Sequence, residues 1–289
     1  MPAGTISLPI HRIRGSTATV TDDLLAVEEP LEIRVVFDDG GARTARSLSI
    51  TMRTPGEDAE LAAGFLFTEG IVGSAKDLDG LKPCGPIQPW GGANIVRVEL
   101  SAGVAVDLVR LQRNFYTSSS CGVCGKASLD ALEVQGCSRP AEGPVVSPTL
   151  LHGLPLQLRA AQANFDATGG LHAAGLFDAN GHLIALREDV GRHNAVDKVI
   201  GARLLAGAIP LSDCVLVLSG RASFEILQKA LVAGIPFVAA VGAPSSLAVQ
   251  LASRWGMTLV GFLRDGRFNV YTGMTRVDLH TPGDPCPTP

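Results

Sequence analysis

From Ser147 to Thr272 the chain alternates helical stretches with short, unbroken apolar runs, and that alternation most limits the folds open to it. Helical signals fall at 148–165, 192–207, 221–233 and 244–254, and the apolar runs read HAAGLFD, HLIALRE, DCVLVLS, PFVAAVG, TLVGFL and FNVYT. A strand that is apolar on both faces has to be covered on both. This predicts α/β architecture, with helices packed over a mostly parallel sheet.

The first part of the chain follows a different pattern. TATVTDDLLAVEEPLEIRVVF and RSLSITM alternate apolar and polar residues around the turn DDGGA, as half-buried strands do. In RTPGEDAELAAGFLFTEGIV, Thr54 reads as an N-cap, Pro55 as the first helical residue, Glu57 as the capping-box acid and Gly70 as the stop. Leu61, Phe65 and Leu66 share one face of that helix. ANIVRVEL and GVAVDLVRL read as a hairpin. The expected organisation is a strand-rich mixed α+β domain over 1–116 and a CxxC loop, short helix and linker over 117–146. An α/β ligand-binding domain follows over 147–276, and then a disordered tail over 277–289.

With 46% apolar and 18% charged residues the chain can bury a large core, and a net charge of −4 argues against a general nucleic-acid binder. MPAGTISLPIHRIRG has no unbroken apolar run of the kind a signal peptide needs, and no stretch approaches the ~20 apolar residues of a membrane span. Six cysteines in 289 residues do not make a disulfide scaffold, so the expected setting is the reducing cytoplasm.

Three strand-to-helix junctions share a layout. HLIALRE runs into Asp189, Gly191, Arg192, His193 and Asn194; DCVLVLS into Ser219, Gly220, Arg221 and Ser223; PFVAAVG into Gly242, Pro244 and Ser245. Each alone reads as helix capping. On one sheet edge, their helix starts and arginines suit an anionic ligand such as a nucleotide, whose diphosphate would lie along Gly191–His193 and Ser219–Ser223. The turn GFLRDGRFNVY adds two arginines, with Asp265-Gly266 favouring a hairpin. It is either a plain exposed turn or a holder of phosphate or of a planar base. His172 invites a zinc-deaminase reading, but Ala174 stands where the proton-shuttling acid belongs and no later Pro-Cys-x-x-Cys follows. His172 therefore reads as a loop or core histidine.

TSSSCGVCGK carries Cys121 and Cys124. Zinc needs four ligands and this pair supplies two. A dithiol redox pair belongs after the first strand of a βαβ unit, which this is not. The helix expected from Lys126, and Lys126 itself, would activate a thiol here for carrying sulfur.

TSSSCGVCGK, REDVGRHNAVDKVIG, SGRASFE, GIPFVAAVGAPSSLA and PGEDAELAAGFLFTEGI together resemble the FdhD family, the formate dehydrogenase accessory sulfurtransferases, across most of the chain. The resemblance implies a cytoplasmic, homodimeric sulfur carrier that takes sulfur from a cysteine desulfurase. It would pass that sulfur to the bis(molybdopterin guanine dinucleotide) cofactor before insertion into formate dehydrogenase. It also implies a C-terminal domain like cytidine deaminase without the zinc chemistry, hence no intrinsic metal. Carried over by motif, Cys121 would hold the persulfide and Cys124 would assist. Phe262, Leu263, Arg264, Asp265, Gly266 and Arg267 would form part of the cofactor site. The competing readings are a cofactor-binding chaperone that moves no sulfur, and a zinc deaminase.

Overall fold

The structure, a computed structural model, describes residues 4–88, 92–106 and 137–279. Cys121 and Cys124 lie outside the described residues. Strands β1 (Thr5–Arg14) and β2 (Thr17–Ala26) form a two-stranded hairpin. β3 (Glu29–Asp39), β4 (Ala42–Arg53), β5 (Leu78–Ile87) and β6 (Ala93–Leu100) form a four-stranded sheet in the order β4-β3-β6-β5. Helix α1 (Asp58–Thr68) follows β4. Beyond residue 146 come α2 (Pro148–Ala160), α3 (Ala163–Thr168), β7 (His172–Phe177), β8 (Leu183–Asp189) and α4 (Arg192–Leu205). β9 (Val215–Leu218), α5 (Phe224–Val232), β10 (Phe237–Ala240), α6 (Ser246–Arg254), β11 (Thr258–Arg264) and β12 (Arg267–Thr272) complete a six-stranded sheet ordered β12-β11-β10-β9-β7-β8.

Strand periodicity sorts the core into layers. Leu216, Leu218, Val238 and Ala240 face α4, α5 and α6, while Val215, Val217, Phe237 and Ala239 face Leu151, Leu154 and Leu158 of α2. In β3, the alternate residues Leu31, Ile33, Val35 and Phe37 point to the cluster that also holds Leu61 and Leu66 of α1 and Val199 and Ile200 of α4. Helix α1 is thus covered from both sides, which explains why Leu61, Ala62, Ala63 and Leu66 are all buried rather than one stripe.

The fold is α/β, as the alternation indicates, but several local expectations change. The six-stranded sheet is mixed: only β9–β10 and β10–β11 are parallel pairs. Tight turns force two of the other three, because β7–β8 and β11–β12 are hairpins and hairpins pair antiparallel; β7–β9 is antiparallel as well, with β8 and α4 between them in sequence. β6 pairs with β5 and, in parallel, with β3, so both its edges are taken; residues 107–111 of the expected hairpin lie outside the described residues. Pro83 and Pro86 in β5 hid it as a strand; they are tolerated because β5 is an edge. The helix expected over 148–165 breaks after Ala160, and α3 starts anew because the Glu188 carboxylate of β8 accepts the Asn164 and Phe165 N–H groups at 2.9 and 2.8 Å. Thr54 does not cap α1. The residue before the helix is Glu57, at φ 52°, and Thr54 bonds to the loop after β8 instead. Gly70, at φ 73°, does follow the helix end.

α1 and α4 cross backbone to backbone. A methyl group on Gly201 would sit inside contact distance of the Glu60 carbonyl, and one on Gly64 inside that of the Asp197 carbonyl. Neither neighbour is a flexible side-chain end. Gly201→Ala should therefore destabilise the protein by roughly 2–3 kcal/mol, at the upper end of overpacking costs. A urea midpoint unchanged from the parent protein would show that the helices stand further apart.

Candidate functional site

β8, β9 and β10 end on the same edge of the six-stranded sheet, and β7, running the other way, begins there. Short hydrogen bonds lace the junctions together. Ser219 exchanges two bonds with Ala173, its N–H donating to the carbonyl at 3.0 Å and its Oγ accepting from the N–H at 2.8 Å. The Gly220 carbonyl accepts from Gly242 at 3.0 Å, and the Gly242 carbonyl accepts from Phe262 at 3.0 Å. Gly242 permits this approach, since a Cβ there would stand 2.9 Å from the Gly220 oxygen.

The first junction is organised by Asp189, which is fully buried. Its carboxylate accepts from Gly191 N at 2.8 Å, Thr54 N at 3.2 Å and Asn194 Nδ2 at 3.0 Å, and it pairs with buried Lys198 Nζ at 2.8 Å. Lys198 also donates to the Thr54 carbonyl at 3.0 Å. A buried pair with every lone pair engaged holds its geometry, and here it fixes the backbone from which Arg192 and His193 emerge. One turn further on, Asp197 pairs with Lys229 at 2.9 Å; Thr68 Oγ1 donates to Asp197 and accepts from Lys229, both at 2.9 Å. Burial opposes the charge on Lys229, but Asp197 and Glu69 outweigh it and hold the ammonium protonated.

At the α4 start, Arg192 Nε is buried and has no hydrogen-bond partner among the described residues. His193 Nε2 lies 3.1 Å from Ser223 Oγ and 3.8 Å from Glu225. Burial pushes the His193 pKa down from 6.5 to about 4, helped by the positive charges of Arg192 and Lys229. His172 is also lowered, by burial first and then by Arg192 and Arg221. The edge is therefore cationic, with two neutral imidazoles set among arginines and the free N–H groups of the α4, α5 and α6 starts pointing out of it. Such a surface suits phosphate. The depressed histidine has a consequence for stability. The unfolded imidazole takes up a proton as pH falls through 6.5 while the folded one does not until about 4, so stability should drop across that window. His193→Gln should flatten the urea midpoint between about pH 7 and pH 4.5. A pH profile identical to that of the parent protein would contradict a neutral His193.

Of the residues singled out from sequence, Gly191, Arg192, His193, Ser219, Gly220, Arg221 and Ser223 lie on this edge, and Gly242 links Phe262 to it. The Phe262–Arg267 segment projects past the sheet as a hairpin. Phe262 and Asp265 adopt φ 53° and Gly266 φ 70°, a backbone strain that tends to collect at binding sites. Arg264 sits over the Phe262 ring at 6.0 Å, and Arg264, Asp265, Gly266 and Arg267 are exposed. Leu263 is fully buried against the α2 side of the sheet, so its side chain does not face a ligand. His172, read as a loop or core residue, is the half-buried first residue of β7. It backs onto Gly220, where a Cβ would stand 3.2 Å from Nδ1. It also lines a cavity of about 470 Å3 with Leu158, Arg159, Gln162, Phe165 and Ser219, a feature without a local sequence signal. Among the described residues, no group of three or more His, Cys, Asp or Glu could hold a metal ion, and no helix is long and apolar enough to cross a membrane.

Compared with known proteins, residues 26–278 match the family described as FdhD/NarQ. The chain is 52% identical over 274 residues to a protein of Streptomyces avermitilis named sulfur carrier protein FdhD, covering 93% of this chain and 94% of that one. A protein of the same name from Sulfurisphaera tokodaii is 43% identical over 268 residues, covering 93% and 97%. A crystal structure from Desulfotalea psychrophila, provisionally described as a formate dehydrogenase accessory protein, superposes with a TM-score of 0.71 at 26% identity. That match covers 94% of this chain and 99% of the other.

Proposed function

This chain belongs to the FdhD/NarQ family, and from that membership we propose that it is a sulfurtransferase serving formate dehydrogenase. In this reading it works as a homodimer in the cytoplasm and moves sulfur from a cysteine desulfurase to the bis(molybdopterin guanine dinucleotide) cofactor. The observation that carries the reading is the near end-to-end likeness to proteins named sulfur carrier, at about half identity.

The proposed chemistry uses both cysteines of TSSSCGVCGK. The Cys121 thiolate attacks the outer sulfur of the donor's persulfide. A bond forms from that sulfur to Cys121 as the donor's sulfur–sulfur bond breaks, and the donor leaves as a thiolate. For delivery, the Cys124 thiolate attacks the Cys121 sulfur. The outer sulfur departs with the bonding pair as sulfide and joins the metal of the cofactor, and a cellular dithiol reduces the resulting Cys121–Cys124 disulfide. Meanwhile the cationic strand-end surface around Gly191–His193 and Ser219–Ser223 holds the cofactor's diphosphate, and the Phe262–Arg267 hairpin meets a further part of it. That same surface supports the alternative, a chaperone that binds the cofactor and moves no sulfur.

The two part in a transfer experiment. Protein loaded with radiolabelled sulfur by a desulfurase is mixed with unsulfurated cofactor, and the carrier reading expects the label to move to the cofactor. Label that stays on the protein, with the cofactor bound all the same, would favour the chaperone.

A further inference from the structure

The β1–β2 ribbon is attached at its root, where Val27 N–H donates to the Gly4 carbonyl at 2.8 Å and β2 packs on α3. Beyond the root it shows apolar side chains on both faces. The register puts Ile13 and Val20 on one face and Ile6, Leu8 and Leu25 on the other, and Ile13 is 62% and Val20 71% exposed. A two-stranded ribbon is marginal by itself, and a third or fourth strand is what makes such a sheet hold. Among the described residues neither outer edge of the ribbon pairs with another strand.

The two edges are not alike. β1 carries Pro9 at its middle and Arg12 and Arg14 toward the tip, features that keep an edge strand from pairing. β2 reads TATVTDDLLA, without proline, glycine or a basic residue, and its first five residues are the strand formers Thr and Val around one alanine. The open edge of β2 is therefore the one fitted to accept a further strand.

Charge indicates which strand that is. The tip half of the ribbon holds His11, Arg12 and Arg14 and no acid, whereas the root half holds Asp22 and Asp23 and no base. A two-fold axis through the middle of β2 lays two copies of this strand antiparallel, so that each cationic tip lies beside the other copy's acidic root. Arg12 and Arg14 stand across from Thr19 and Thr17, whose short side chains let both guanidinium groups reach over β2 to the neighbour. We propose that two copies of this chain pair through the outer edge of β2, joining their ribbons into one four-stranded antiparallel sheet. This rests on the proposed function, whose homodimer it supplies with an interface.

Sedimentation velocity on the full chain over a dilution series measures the dimer dissociation constant. Arg14→Glu and Asp22→Arg should each raise it on the order of ten-fold, since a two-fold contact loses the attraction twice. The two substitutions together should bring it back to within about three-fold of the parent protein. Amide exchange read by mass spectrometry separates strand pairing from side-chain contact. Raising the concentration through the dissociation constant should slow exchange across Thr17–Asp23 and leave the other long edge strand, β4, unchanged. A parent protein that stays monomeric at roughly 0.1 mM would remove the homodimer and this interface together. A dimer that neither substitution weakens, or whose β2 exchange does not depend on concentration, would keep the homodimer and overturn the β2 assignment. Sulfur loading of Cys121 is read separately, so the carrier reading does not depend on either outcome.

Discussion

Cells whose only copy carries Cys121→Ala should contain formate dehydrogenase protein but essentially none of its activity. The substitution deletes the atom that accepts the sulfur, and no neighbouring hydroxyl of Thr117–Ser120 can form a persulfide in its place. Cys124→Ala should be the milder change, since Cys121 can still be loaded and only its discharge is slowed. The check is a viologen-dye formate oxidation assay on extracts, alongside the melting temperature of each purified variant. Full activity with Cys121→Ala would remove the carrier role and leave a cofactor-binding protein.

Asp189→Ala should cost roughly 3–5 kcal/mol, the usual loss when one member of a buried ion pair is removed. Lys198 would be left as a fully buried cation with only the half-exposed Glu57 carboxylate, 3.7 Å away, to offset it, and the Thr54, Gly191 and Asn194 donors would lose their acceptor together. The double variant Asp189→Ala with Lys198→Met should recover part of the loss, because it removes the stranded charge, but not all, because the three N–H donors stay unpaired. Urea midpoints for the four members of this cycle measure the coupling. A single-variant cost below about 1 kcal/mol would mean that the pair is solvated and does not hold the loop that carries Arg192 and His193.

Sequence reading went furthest where the information is local. The unbroken apolar runs named all six strands of the larger sheet, and Asp265-Gly266 announced its own hairpin, because side-chain period and backbone preference are properties of neighbours. The Gly, Ser and Arg residues at the strand ends were legible for the same reason. What stayed hidden depends on contacts across the chain. Glu188 restarts a helix more than twenty residues earlier in sequence, and Thr54 looks like a helix cap until Asp189 takes its N–H. The strand β5 was masked by two prolines that only an edge position allows. The cavity beside His172 and Phe165 carries no motif at all; it forms between segments that no spacing in the sequence brings together.

The central claim is that sulfur travels on Cys121, and peptide mass spectrometry after incubation with a cysteine desulfurase and cysteine tests it most directly. The account predicts a mass gain of one sulfur atom on the peptide containing Cys121. The gain should be lost on treatment with a thiol reductant, absent from the Cys121→Ala variant and absent when cysteine is omitted. No added sulfur on that peptide, or sulfur found equally on Cys84 or Cys137, would contradict it.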